Sequence, residues 1–251
     1  MNSFIGWIGG KKLLRTEILK RFPKSFGRYI EVCGGAGWML FAKDRHAKME
    51  IYNDVNGDLV NLFRCIKYHC LELHRELAFM LNSRELFDDF NTQYKTRGLT
   101  DIQRAARFFL VIKLSYGSNT KSYGCIMKNM SVMIDYLYKI QERLAKVIIE
   151  NKDFEGLIKV YDKSDALIYL DPPYYGTEKY YSVGFPLDDH IRLSNVLKKI
   201  KGKFILSYND CAYIRELYKD YIIEEIVRNN NLLGRYEDKE NIYRELLIRN
   251  Y

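Results

Sequence analysis

The segment Asp171-Pro172-Pro173-Tyr174 places a carboxylate, free carbonyl groups and an aromatic ring directly after the apolar run Ala166–Leu170. Two consecutive prolines have fixed φ angles and no backbone N–H, so they predict a rigid strand exit that presents its carbonyl oxygens outward. Such a corner can accept hydrogen bonds from an exocyclic amino group while the tyrosine ring stacks on the base that carries the amine. From these residues alone, a plain turn is the alternative.

A glycine turn, Gly34-Gly35-Ala36-Gly37, follows a second apolar run, Tyr29–Cys33. It bares the backbone at the carboxyl end of a strand, where open α/β sheets bind ligands, although it lacks the third glycine of the dinucleotide fingerprint. Asp54 ends the next strand candidate, Glu50–Asp54. An acid at that point can accept hydrogen bonds from both hydroxyls of a ribose. The alternative is a helix cap within Asn53-Asp54-Val55-Asn56, and the two interpretations stay equally open.

Residues 91–130 form a basic segment with seven cationic side chains and one acid. Tyrosines and the polar run Gly117-Ser118-Asn119-Thr120 are interleaved with these charges. Phosphate-neutralising charge beside aromatic and amide groups is typical of a nucleic-acid surface, and the alternative is an ordinary solvated face. The cations are Lys95, Arg97, Arg104, Arg107, Lys113, Lys121 and Lys128, the acid is Asp101, and the tyrosines are Tyr94, Tyr116 and Tyr123.

The composition limits the class of protein. The chain has 251 residues with 40 Lys+Arg against 32 Asp+Glu, a net charge of +8 that suggests an anionic partner. An apolar fraction of 47% with only 4 prolines excludes a disordered or collagen-like chain. No apolar run approaches roughly 18 residues, so we expect no membrane segment. Four side chains of types that bind zinc occur close together at Cys65, His69, Cys70 and His74. On a helix, the pair Cys65/His69 and the pair Cys70/His74 would project to opposite sides and could not converge on one ion, so we expect no metal site there.

The apolar spacing alternates between strand and helix at both ends of the chain and is mostly helical from Val55 to about Lys146. The first two strand candidates enclose the glycine turn and a helix-like stretch, Trp38–Lys43, which predicts a βαβ unit, and another helix is predicted to start near Lys11. The last two strand candidates are joined by a polar stretch and can form an antiparallel pair at the sheet edge. The later strand candidates are Val147–Ile149, Ala166–Leu170, Lys203–Ser207, Tyr221–Val227 and Tyr243–Arg249.

Several motifs resemble, in order, those of the Dam-like DNA adenine methyltransferases, which use S-adenosylmethionine. Besides Asp171–Tyr174 they are Trp7-Ile8-Gly9-Gly10-Lys11, Glu31-Val32-Cys33-Gly34-Gly35-Ala36-Gly37, Asn53-Asp54-Val55-Asn56-Gly57-Asp58-Leu59, Asn151-Lys152-Asp153-Phe154, the spacing Phe185…Asp189-His190…Leu193, Ser207-Tyr208-Asn209-Asp210 and Glu245-Leu246-Leu247-Ile248. The resemblance implies an α/β fold with a Rossmann-like methyltransferase sheet, mostly parallel with an antiparallel edge strand. Residues 1–54 and 147–251 would form the catalytic domain. Residues 55–146 would form an inserted helical target-recognition domain with a DNA-binding hairpin.

The resemblance also implies which residues bind S-adenosylmethionine. They are Trp7, Lys11, Glu31, Gly35, Gly37, Asp54, Asp153, Phe154 and Asp171. Asp54 would lie on the ribose, and Asp153 and Phe154 would hold the adenine. The family usually has Pro-Phe at the positions of Val32 and Cys33, so we expect one aromatic contact to the cofactor to be missing.

In the family, chemistry takes place on an adenine flipped out of the duplex. Asp171 and the Pro172 carbonyl would accept hydrogen bonds from the target amino group, and Tyr174 would stack on the base. These acceptors would aim the amine lone pair at the methyl group without a metal or a covalent nucleophile. The segment that best matches the DNA-binding hairpin of the family is Tyr116–Tyr123. Its expected DNA contacts are Tyr116, Asn119, Lys121 and Tyr123.

Three other functions fit part of the pattern. A cytosine amino-methyltransferase would use the same corner, although aspartate at the first motif position favours adenine. RNA adenine methyltransferases usually show a motif led by asparagine, and an inactive DNA-binding relative would not need the motif intact. We therefore expect a site-specific adenine methyltransferase that acts as a monomer on double-stranded DNA in the cytoplasm of a bacterial or phage-infected cell. A cognate restriction enzyme is a possible partner.

Overall fold

A computed structural model describes residues 1–125, 129–177, 184–229 and 242–251. Lys128 of the basic segment lies outside these ranges. The strands described are β1 Arg28–Glu31, β2 Met49–Asn53, β3 Val147–Glu150, β4 Ala166–Leu170, β5 Lys203–Asn209, β6 Ile222–Asn229 and β7 Ile242–Arg249. They form one sheet in the order β3-β2-β1-β4-β5-β7-β6. The predicted α/β fold with a Rossmann-like, mostly parallel sheet is confirmed.

Strands β1 to β5 pair in parallel, whereas β7 pairs antiparallel with both β5 and β6. The predicted antiparallel pair is therefore present at the edge. The antiparallel strand itself is not the edge strand, because β7 lies one position inside β6. The reason lies in the run Leu246–Ile248, which is fully buried and needs a neighbouring strand on each side and a helical layer on each face.

Helices cover both faces of the sheet. They are α1 Arg15–Lys20, α2 Gly57–Tyr68, α3 Cys70–Ala78, α4 Arg84–Gln93, α5 Asp101–Leu114, α6 Met130–Leu144, α7 Phe154–Tyr161, α8 Leu187–Leu197 and α9 Ala212–Leu217. Successive strand residues point to opposite faces, so Tyr29 packs in the cluster formed with α1 to α6, and Ile30 packs in the cluster formed with α7 to α9. In the described ranges, no helix is long and apolar enough to cross a membrane.

The helices α2 to α6 lie between β2 and β3, where the sequence predicts a helical insertion. Their buried side chains share one hydrophobic cluster with Tyr52 and Tyr169 of the sheet. The insertion thus forms the helical layer over one sheet face. A division into a catalytic and a target-recognition domain at residues 54 and 147 remains a proposal.

Two helical predictions near the amino-terminal strand are wrong. The first helix begins at Arg15 and not near Lys11, because residues 11–14 form only a turn in which the N–H groups of Leu14 and Arg15 both donate to the Lys11 carbonyl, at 3.1 and 2.9 Å. Trp38–Lys43 contains only a 3-10 turn, Leu40–Ala42. Arg143 donates to the carbonyls of Leu40 and Lys43, both at 2.9 Å, which gives this segment side-chain partners in place of further helical turns.

Candidate active site

A cavity of about 330 Å³ opens beyond the carboxyl ends of β1, β2 and β4. The ends of parallel strands meet at one edge of the sheet, so the glycine turn and the acids that follow the strands converge there. Of the residues predicted from the sequence, its wall contains Trp7, Lys11, Glu31, Gly35, Asp54, Asn119, Lys121, Asp153, Phe154 and Asp171. The predicted residues outside the wall are Gly37, Tyr116, Tyr123, Pro172 and Tyr174.

The glycine turn needs glycine for both conformation and space. Gly35 has a φ of +50°, and a Cβ there would lie 2.8 Å from Cδ1 of Trp7. A Cβ on Gly34 would lie 2.2 Å from the Tyr52 ring. A side chain at Gly35 would therefore displace the Trp7 ring on the cavity wall, and one at Gly34 would displace the buried Tyr52 ring.

Asp54 joins the glycine turn to the start of α2. Its Oδ2 accepts from the N–H of Gly35 at 2.8 Å, and its Oδ1 accepts from the N–H of Asn56 at 2.8 Å. Burial raises the pKa of Asp54, and these backbone donors oppose that effect. The helix cap predicted within Asn53–Asn56 is present, but the capping residue is Asn56, which accepts from the N–H of Leu59 at 3.0 Å, and not Asp54.

Asn53 holds three strand ends together, a role that the sequence motif did not reveal. Its side-chain amide donates to the carbonyls of Val32 at 2.8 Å and Lys152 at 3.0 Å. Its Oδ1 accepts from the N–H of Lys152 at 2.8 Å. An asparagine at the carboxyl end of a buried strand was the available signal.

Asp171 directly follows β4 and forms an ion pair with Lys11, whose Nζ lies 2.6 Å from Oδ1. Burial raises the pKa of Asp171 to about 6, an effect that the Lys11 ammonium opposes and the carboxylate of Glu245 reinforces. Nearby Glu31 is also buried, and burial raises its pKa to about 8, although it accepts from the Tyr29 hydroxyl at 2.8 Å. The edge thus holds acids that are costly to ionise without a cationic partner.

Tyr174 is only 5% exposed, and its hydroxyl is held from the side of β7. The hydroxyls of Tyr174 and Ser207 lie 2.9 Å apart and both donate to Oε1 of Glu245. The ammonium of Lys11 lies 4.8 Å from the centre of the Tyr174 ring. Stacking of this ring on a base stays a prediction. Ser207 and Glu245 belong to motifs quoted from the sequence, but only the fold brings them to Tyr174.

Asp153 caps α7 by accepting from the N–H of Glu155 at 3.0 Å. Arg192 of α8 donates to both oxygens of Asp153, at 2.8 and 2.7 Å, and its guanidinium lies 4.1 Å from the centre of the Phe154 ring. Burial raises the pKa of Asp153, but the bonds from Arg192 outweigh it and the pKa is lowered. Arg192 was missed because nothing in its local sequence indicates which carboxylate it reaches.

The predicted DNA hairpin forms a short antiparallel turn. Ser115 bridges to Tyr123, and the N–H of Tyr116 donates to the Ser122 carbonyl at 2.8 Å. Oδ1 of Asn119 accepts from the N–H groups of Lys121 at 2.8 Å and Ser122 at 3.2 Å, so this side chain shapes the turn. The tip, residues 118–121, lines the cavity.

Part of the predicted basic surface is used within the fold. Arg104 pairs with Asp101 at 3.2 Å, and Arg107 pairs with Glu76 at 3.3 Å. The ammonium of Lys113 donates to the Phe4 carbonyl at 3.0 Å. The sequence therefore overstates the positive charge that this segment can offer to an anionic partner.

The chain is similar to several known proteins. A family model described as D12 class N6 adenine-specific DNA methyltransferase matches residues 7–232. The type II methyltransferase M.CviBI of Paramecium bursaria Chlorella virus NC1A is 27% identical, and the match covers 100% of both chains. M.MjaIII of Methanocaldococcus jannaschii is also 27% identical, over 100% of this chain and 99% of its own. The retron Ec67 DNA adenine methylase of Escherichia coli is 26% identical over 88% of this chain and 82% of its own.

Proposed function

Because the chain belongs to the D12 class N6 adenine-specific DNA methyltransferases, and so methylates adenine in DNA, we propose that its cavity binds S-adenosylmethionine and that Asp171 orients the target amine. Membership in this family means that the target base is adenine and not cytosine, and that the nucleic acid is DNA and not RNA. It also means that the protein is an enzyme and not an inactive DNA-binding protein. The observation that carries the proposal is that Asp171 lies on the wall of the same cavity as Asp54 and the glycine turn.

The residues of the cavity fit this cofactor. S-adenosylmethionine supplies a methyl group on a positively charged sulfur when it is bound. The bare backbone at Gly35 allows close approach, Asp54 can accept from ribose hydroxyls, and Phe154 offers an apolar face. Trp7, Lys11, Glu31 and Asp171 would complete the site, together with Asp153, which helps to fix Phe154.

On the substrate side, Asp171 and the Pro172 carbonyl would accept the two N–H groups of the adenine amine. This withdraws the lone pair from conjugation with the ring and directs it at the methyl group. Positioning of this kind can lower the activation free energy by roughly 7–11 kcal/mol. Extruding the base costs roughly a few kcal/mol, and stacking on Tyr174 would offset about 1–3 kcal/mol of it. The mechanism requires neither a metal nor a covalent intermediate.

The DNA contacts form a separate part of the proposal. The tip of the Tyr116–Tyr123 hairpin lines the cavity, and this supports a role for Asn119 and Lys121 close to the proposed cofactor site. We propose that Tyr116, Asn119, Lys121 and Tyr123 contact double-stranded DNA around the extruded base. Relatives named type II methyltransferases suggest a cognate restriction enzyme as a partner. We also propose that the protein is a monomer that works in the cytoplasm of a bacterial or infected cell.

Base analysis tests the proposal. Purified protein is incubated with tritiated S-adenosylmethionine and unmethylated genomic DNA, and the DNA is digested to nucleosides. We expect the label in N6-methyl-2′-deoxyadenosine with the native chain and none with Asp171→Ala. Asp135→Ala, which removes an exposed carboxylate paired with His74, is the matched control and should keep activity. Near-native labelling by a folded Asp171→Ala variant would refute the assignment of Asp171.

A further inference from the structure

Glu245 is a buried residue beside the ion pair of Lys11 and Asp171, and it has no part in the mechanism proposed for methyl transfer. It lies on β7 opposite Asn209 of β5 and is 1% exposed. Its Oε1 accepts from the hydroxyls of Tyr174 and Ser207 and lies 3.4 Å from Nζ of Lys11. A buried carboxylate is costly unless hydrogen bonds and a counter-charge compensate it, and Glu245 has both.

Lys11 lies between two carboxylates. Its Nζ is 2.6 Å from Oδ1 of Asp171 and 3.4 Å from Oε1 of Glu245, and it also donates to the Gly9 carbonyl at 2.9 Å. A carboxylate oxygen held closely by an ammonium has less negative charge to offer to a neutral amine. When the target amine reaches Asp171, Lys11 therefore needs a second counterion, and Glu245 is already beside it.

We propose that Glu245 is a positioning residue for methyl transfer, which holds the hydroxyl of Tyr174 and takes over Lys11 when the target amine hydrogen-bonds to Asp171. The inference rests on the proposed function, because it takes Asp171 as the acceptor of the amine. No bond is made or broken in this exchange, since the ammonium only moves from one carboxylate toward the other. With both carboxylates ionised, the cluster of Lys11, Asp171 and Glu245 has a net negative charge, which favours the positive charge that the amine nitrogen gains during methylation.

The charge on Asp171 depends on groups from several elements. Lys11 precedes α1, Glu31 ends β1, Cys33 follows β1, Tyr169 lies in β4, Tyr174 follows β4 and Glu245 lies in β7. Burial raises the pKa of Asp171 to about 6, Lys11 lowers it and Glu245 raises it. A neutral glutamine at position 245 should lower this pKa and leave Lys11 on Asp171.

The test is Glu245→Gln in single-turnover methylation with saturating S-adenosylmethionine and DNA, measured against pH. We expect the rate to fall roughly 10- to 100-fold, because the acceptor for the amine stays blocked. The acid limb of the profile should move to lower pH by about one unit. Ser207→Ala removes a hydrogen bond to the same carboxylate but keeps its charge, so it should leave the limb in place. Glu225→Gln, a surface charge on β6 paired with Arg244, should leave both rate and limb unchanged.

A Glu245→Gln enzyme as fast as the native chain per folded molecule would overturn the inference, and so would an acid limb that stays in place. Asp171→Ala, assayed in parallel, separates the two levels of the proposal. If that variant is inactive while Glu245→Gln is normal, only the role of Glu245 fails, whereas an active Asp171→Ala variant refutes the proposed function itself. If Glu245→Gln does not fold, Glu245→Asp keeps the charge but shortens the reach, and should be slower with an unmoved limb. A Glu245→Asp rate equal to the native one would also overturn the inference.

Discussion

The backbone N–H of Gly35 donates to the carboxylate of Asp54 at 2.8 Å, and this bond fixes the glycine turn after β1 to the end of β2. The second oxygen of Asp54 holds the N–H of Asn56 at the same distance, next to the start of α2. One buried side chain thus sets the relative position of two backbone segments on the cavity wall. Replacing this side chain should therefore change the shape of the site as well as ligand binding.

Replacing Asp54 should affect both stability and cofactor binding. We expect Asp54→Ala to lower the free energy of unfolding by about 1.5–3 kcal/mol for each lost hydrogen bond to the charged group, and to weaken S-adenosylmethionine binding at least about tenfold. Denaturant titration and calorimetry measure the two effects. Asp58→Ala in α2, which removes a half-buried carboxylate near Arg104, is the control and should not change cofactor affinity. An unchanged affinity in Asp54→Ala would exclude Asp54 from the cofactor site.

Activity should depend on pH through Asp171. Its pKa is raised to about 6 by burial, so the carboxylate is ionised above that pH and becomes protonated as the pH falls through it. A protonated Asp171 donates where the mechanism needs an acceptor, so kcat/KM should fall about tenfold for each pH unit below the pKa. The measurement is a pH series of kcat/KM, with DNA binding followed at each pH as a control. A profile that stays level through this range, with binding intact, would contradict the role of the carboxylate.

Arg192 should control cofactor affinity without touching the substrate base. It donates to both oxygens of Asp153 and lies over the Phe154 ring, so Arg192→Met should remove the contacts that hold these two residues on the cavity wall. We expect KM for S-adenosylmethionine to rise about 5- to 50-fold while kcat changes little, as is typical when binding common to ground and transition states is lost. Arg215→Met removes a similar surface arginine, paired with Asp210, and serves as the control. Equal KM values in the two variants would rule out this role.

The hairpin tip should contribute charge to DNA binding. Lys121→Ala should weaken binding to all sequences alike and reduce the slope of log Kd against log salt by about one. Fluorescence anisotropy at several salt concentrations provides the measurement. Lys219→Ala removes an exposed lysine that pairs with Glu216, and should leave the slope as it is. If both variants match the native chain, the DNA surface lies elsewhere.

The sequence predicts the central strands β1, β2, β4 and β5 well because they are short, mostly buried apolar runs. Ala166–Leu170 matches β4 at both ends, and its five residues are all buried. The sequence also predicts where β2 and β4 end, since Asp54 and Asp171 directly follow the apolar runs. At Leu40–Ala42 the sequence predicts a helix and the structure has a 3-10 turn, because local apolar spacing does not reveal that Arg143 binds the neighbouring carbonyls.

The parts of the site that escaped prediction are contacts between distant segments. Arg192 meets Asp153 only because α7 and α8 pack side by side on the same sheet face. Asn119 has an amide suited to reading a base, yet in the structure its oxygen shapes the turn. In both cases residue type indicated what the side chain could bind, and the fold decided what it does bind.

The position of β7 between β5 and β6 also bears on how the molecule assembles. Lys11 and Glu245 are far apart in the sequence and meet only after β7 has inserted between two strands that precede it in the chain. Contacts of such long range form slowly because a large loop must close first. During refolding from denaturant, helical signal should therefore return ahead of catalysis. The cluster of Lys11, Asp171 and Glu245 should then be among the last parts of the molecule to form. A chain in which β7 has not yet inserted should be unable to methylate DNA.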